Sequence, residues 1–155
     1  MSNGVSFRRA AMLAVVAGIV AGCSSLHPFK SGAPENMAIT TDARSVSVQI
    51  DVYSVDSKCE ASYQGTVDLS DKKVRTGIPA NKLSYLVFYF GGGSYFTGYH
   101  STSYAIYLTP RPGYHYDATA SYADGMYGAT IYERDAHGGG RRKIPFIEHA
   151  CASRN

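Results

Sequence analysis

The sequence has no tryptophan, only three cysteines, and charged side chains at only 17% of positions. Each shortage closes off a class of chemistry. None of the five histidines (His27, His100, His115, His137, His149) stands at the close spacing that presents two ligands to one metal, and no C-x-x-C pair exists, so a zinc site is not expected. His115 and Asp117 come nearest to a metal pair and read as solvated surface. No serine sits in a Gly-x-Ser-x-Gly elbow. The run Gly91-Gly92-Gly93-Ser94 lacks the lysine and following helix of a phosphate-binding loop. Asp117, Asp124, Glu133 and Asp135 read as local turn or strand carboxylates without the apolar surroundings that would raise a pKa. The expectation is therefore a protein that is not an enzyme and carries no cofactor or metal. Nucleic acid is not an expected partner either, because Arg8 and Arg9 supply two of the three net positive charges.

Helical periodicity is also missing, except in the first residues. There Arg8 and Arg9 precede an apolar run from Ala10 to Ala21, too short to span a bilayer and long enough for the hydrophobic region of a signal peptide. The run ends in Val20-Ala21-Gly22-Cys23. These four residues resemble the lipobox of bacterial lipoproteins. That resemblance implies cleavage before Cys23, acylation of its thiol and new amino group, and firm anchoring by several acyl chains. Ser24 in place of aspartate implies transport to the outer membrane, with the periplasmic or surface face left open. An ordinary secretory signal with an incidental cysteine, or a transmembrane anchor, are the alternatives. The whole chain is similar to small lipoproteins of Gram-negative proteobacteria, a resemblance that implies no activity.

The expected organisation is a signal peptide over 1–22, a lipidated N-terminus and flexible tether over 23–44, and one domain over 45–155. Serine, proline, glycine and alanine dominate the tether. In an oxidising compartment the remaining cysteines, Cys59 and Cys151, pair by default, with two free buried thiols as the other possibility.

From Ser45 onward the pattern is that of strands. Val46, Val48, Ile50 and Val52 alternate with polar residues, which predicts a half-buried strand. Tyr63, Gly65, Val67 and Leu69 fall on one face of a second. A short or edge strand follows over Val74–Ala80, where Gly77 and Pro79 intervene. Leu83–Phe90 is apolar on both faces and predicts a central strand. The glycine-rich stretch Gly91–Ser101 predicts a loop. Strands then alternate over Tyr104–Leu108, Tyr114–Tyr122, Met126–Glu133 and Arg141–His149, separated by Pro110-Arg111-Pro112-Gly113, Asp124-Gly125 and the turn from Asp135 to Gly140. The fold class is all-β, a sandwich of seven to eight short antiparallel strands. The proline–glycine turn leading into a tyrosine-bearing strand resembles the immunoglobulin-like or transthyretin-like modules of exported bacterial proteins.

Thirteen tyrosines are the compositional excess. They can fill a core with hydroxyls at its rim, or form a recognition surface. Tyr95, Phe96 and Tyr99 in the glycine-rich loop, with Arg111 and the cluster Arg141-Arg142-Lys143, are the candidate partner-binding residues. The functional expectation is a non-catalytic outer-membrane lipoprotein acting as an envelope interaction or structural module. It is held to the membrane by its lipid and meets an envelope protein, peptidoglycan or lipopolysaccharide. An envelope glycan- or lipid-binding domain is the second reading, and a hydrolase with a site illegible in sequence the third.

Overall fold

A computed structural model describes residues 27–43, 46–94, 98–123 and 125–145, with the side chains of 93, 94, 98, 99 and 123 left aside. Two sheets pack face to face. The strands are β1 (Met37–Thr41), β2 (Ser47–Val55), β3 (Ala61–Asp68), β4 (Lys73–Thr76), β5 (Ser84–Ser94), β6 (Gly98–Leu108), β7 (Tyr114–Ala123), β8 (Met126–Asp135) and β9 (Arg141–Lys143). One sheet runs β4-β1-β7-β8-β9 and the other β3-β2-β5-β6. All pairings between these nine strands are antiparallel except that of β1 with β7, where Met37 faces Tyr116 and Thr41 faces Ala120 in parallel register.

Alternation along each strand explains the core. Val48, Ile50 and Val52 of β2, Leu86, Phe88 and Phe90 of β5, and Ile106 and Leu108 of β6 point inward from the four-stranded sheet. Met37, Ile39, Tyr116, Ala118, Ala120, Ala129 and Ile131 answer from the five-stranded one. Small alanines on one sheet balance large phenylalanines on the other, which keeps the two layers at normal spacing. The turns follow the glycines: Gly113 (φ 74°) and Gly125 (φ 76°) adopt the left-handed conformation that a side chain resists.

The first difference from the sequence reading concerns the tether. Over 27–43 the chain is part of the domain. Phe29 N–H donates to Thr66 O (2.9 Å) and Thr66 N–H to His27 O (2.7 Å), so a short strap lies along the outer edge of β3. Asn36 then locks the approach to β1. Its side-chain NH₂ donates to Ile78 O (2.8 Å), and its side-chain oxygen accepts from Ile78 N–H (2.8 Å). β1 itself is inserted between β4 and β7. Its five residues, Met-Ala-Ile-Thr-Thr, carry too short an alternation to stand out, and their extended form is imposed by two non-local partners.

Other boundaries move as well. Nine strands rather than seven or eight are present among the described residues. The predicted Gly91–Ser101 loop is largely hairpin, since β5 continues to Ser94 and β6 starts at Gly98. The last described strand ends at Lys143, not His149. Tyr63 does not share a face with Gly65, Val67 and Leu69. The register of β2 with β3 shifts between Val52 and Tyr53, leaving Gln64 as the extra residue and turning Tyr63 outward.

Candidate interaction surface

That bulge completes a band of tyrosines across the solvent side of the four-stranded sheet. Tyr63 of β3 stacks edge-on against Tyr53 of β2, ring centroids 5.5 Å apart. Tyr53 lies 5.7 Å from Tyr85 of β5, and Tyr85 4.6 Å from Tyr107 of β6. Cross-strand register makes the band: Tyr53 pairs with both Tyr63 and Tyr85, and Tyr85 with Tyr107. Tyr89 stands on the same side two positions beyond Val87. Tyr63 (44%) and Tyr89 (40%) are among the most exposed large apolar side chains, whereas Val87 between Tyr85 and Tyr89 is buried. The outer side of this sheet is thus an aromatic surface with its own small dry centre.

Hydrogen bonds fix one end of the band. Thr66 Oγ1–H donates to Asp51 Oδ1 (2.5 Å), which commits its proton and leaves its oxygen to accept from Tyr63 O–H (2.6 Å). Burial, and then the negative charge of Asp51, push the Tyr53 hydroxyl above its ordinary pKa. Burial, followed by Tyr107 and Tyr89, does the same at Tyr85. These phenols are neutral at physiological pH, so the band presents apolar rings with hydroxyl tips.

The residues expected to bind a partner fare differently. Tyr95 and Phe96 lie outside the described residues, and Tyr99 is placed on β6 without a described side chain. Arg111 and Arg142, with side chains 48% and 67% exposed, both grip Glu133. Arg111 reaches it with Nη2–H to Oε1 (2.6 Å) and Nε–H to Oε2 (3.3 Å), and Arg142 with Nε–H to Oε1 (2.6 Å). Glu133 is only 3% exposed, so its expected apolar-free setting is corrected. It follows Ala129 and Ile131 on the inward side of β8, and two guanidinium groups compensate its charge at the sandwich end. Burial would lower the Arg111 pKa, but the hydrogen bond and charge of Glu133 outweigh it and raise the value. Arg111 also lies over the ring of Tyr114 and Arg141 over that of Tyr132, both at 3.8 Å. Lys143 remains an exposed member of the short edge strand β9.

Elsewhere the surface is mixed. A groove of about 360 Å³ on the five-stranded sheet combines Lys73, Arg75 and Arg134 with Glu35, Asp117 and His115. Arg134 approaches Asp117 at 3.9 Å within it. No group of three potential metal ligands occurs among the described residues. Among them, too, no helix is long and apolar enough to cross a membrane.

No family model matches the chain, and no curated protein matches it. That finding corrects the class description drawn from the sequence: the descriptors lipoprotein, signal peptide, palmitate, outer membrane and disulfide bond are not supplied by any matched relative. No pair of described cysteines is joined, since Cys59 is the only one present. Cys59 is nevertheless disulfide-bonded. Cys23 and Cys151 both lie outside the described residues, as does the expected Cys59–Cys151 pairing.

Proposed function

We propose that this chain is a non-catalytic interaction or structural module of the bacterial envelope, and that it works through the band Tyr63–Tyr53–Tyr85–Tyr107. The observation that carries this reading is the band itself. Four aromatic rings in mutual contact cross every strand of one sheet on its solvent side, where a sandwich core has no need of them. Tyrosine suits such a surface, because a large rigid ring is ordered at little entropic cost. The place of work proposed is the outer membrane, through acyl chains on Cys23. Support for it comes from Arg8, Arg9, the apolar run Ala10–Ala21 and the Val20-Ala21-Gly22-Cys23 ending.

Of the two finer fold readings, the transthyretin-like one is favoured. In an immunoglobulin constant-type sandwich the first two strands share a sheet. Here β1 and β2 belong to opposite sheets.

Photocrosslinking in cells from position 107, with Cys23→Ser protein as comparison, tests the proposal. A reproducible envelope adduct, and fatty-acid labelling that disappears in Cys23→Ser, are the expected results. Absence of any adduct, together with unchanged envelope behaviour when Tyr53, Tyr63 and Tyr85 are replaced by serine in a folded domain, would sink it. Adducts to glycan alone favour the second reading, an envelope glycan-binding domain.

A further inference from the structure

The strap on β3 constrains how an anchored domain sits. Residues His27–Phe29 are fixed to Thr66 by two backbone hydrogen bonds, and the Pro28–Thr66 bridge is parallel. A parallel bridge sets the direction of the chain. The strap runs in the direction of β3, so its His27 end lies toward the start of β3, the end that carries Tyr63. Gly65 makes this contact structural, because a Cβ there would meet Phe29 Cα at 2.6 Å. Cys23 lies four residues before His27. Four residues reach at most about 14 Å even when fully extended. A lipid on Cys23 therefore holds the β3 edge within that distance of its own bilayer, where the unstructured tether expected over 23–44 would have let the domain roam.

Two side chains toward that end of β3 suit the position. Tyr63 is 44% exposed and in ring contact with Tyr53. Asp51, beside them, already accepts the Thr66 hydroxyl. A ring with an apolar body and a hydroxyl tip partitions to the level of lipid head groups rather than to the acyl core or to bulk water. We infer that the β3 end of the tyrosine band lies against the phospholipid head groups of the leaflet that holds Cys23, with Tyr63 and Tyr53 as its contacts. This inference rests on the anchoring proposed above and names the partner of the same surface.

The absence of tryptophan makes the test direct, since one introduced indole is the sole reporter. Full-length Tyr63→Trp protein is purified from membranes and reconstituted into phosphatidylethanolamine–phosphatidylglycerol vesicles containing phospholipid brominated on its acyl chains. Tyr122→Trp, an exposed position on the other sheet, is the reference. Emission from Tyr63→Trp is expected to be quenched at least about twofold more than that of Tyr122→Trp, and shifted to shorter wavelength. Equal quenching in vesicles that carry the protein on flotation overturns the docking and leaves the anchor intact. Protein that neither floats nor carries a fatty acid on Cys23 overturns the anchor, and the docking with it. Tyr53→Trp gives the same reading should Tyr63→Trp not fold.

Discussion

Phe29 Cα occupies the space where Gly65 would carry a side chain, 2.6 Å from an ideal Cβ, and Gly65 holds φ at 139°. Gly65→Ala thus meets both a backbone collision and an unfavourable conformation. We expect a loss of about 2–3 kcal/mol, seen as a lower urea midpoint with little change in slope. Hydrogen exchange at the Thr66 amide should accelerate more than at the amides of β5, because the strap is the element displaced. Unaltered Thr66 protection would show that the strap is not held by this contact.

Glu133 and its two arginines give an asymmetric prediction. Removing the buried partner leaves two guanidinium groups near solvent, whereas removing one arginine leaves the other in place. Glu133→Ala should cost about 2 kcal/mol, less than for a fully buried pair because Arg111 and Arg142 are 48% and 67% exposed. Arg142→Ala should cost under about 1 kcal/mol. Equal losses for the two variants in urea unfolding would contradict this account.

Alkali should weaken the fold. Tyr53, Tyr85 and Tyr116 all have pKa values raised above 10.0, with burial the leading cause. A raised value means that the folded state favours the protonated phenol. The associated stability is complete below the ordinary tyrosine pKa and is lost as pH rises through the raised values. Absorbance titration near the phenolate band should show a late-ionising class that coincides with unfolding. In Tyr116→Phe the alkaline loss should diminish, although that variant also forfeits the hydrogen bond from Arg111 N–H to the Tyr116 hydroxyl (2.8 Å). Titration of all tyrosines as one ordinary class would refute the assignment.

How much of this was legible in the chain depends on which information each feature uses. β2 announces itself in Val48, Ile50 and Val52, and the turns at Gly113 and Gly125 in their own residues, because period-two alternation and positive φ are local properties. β1 is invisible for the opposite reason: Thr76 and Tyr116, its partners, lie far along the sequence. The tyrosine band combines residues of four strands. Tyr63, Tyr85 and Tyr107 fall in predicted strands and Tyr53 just beyond one, but their alignment depends on register, and at Tyr63 on a bulge that reverses the face. Glu133 did leave a signal, since it continues the inward parity of Ala129 and Ile131. Reading it as a local turn or strand carboxylate without apolar surroundings leaves that parity unused.

The pairing scheme also sets an order of assembly. Every pairing within the four-stranded sheet lies between Ser47 and Leu108, whereas its companion sheet needs both Met37–Thr41 and Tyr114–Lys143. As the polypeptide emerges from its N-terminus, the first sheet has all its strands before β7 exists. Val48, Ile50, Phe88, Phe90 and Ile106 then form an apolar wall faced only by the short strands β1 and β4, without Tyr116, Ala118, Ala120, Ala129 and Ile131. A nascent chain must be shielded over that interval, and sequestration ends only when the last third of the molecule arrives.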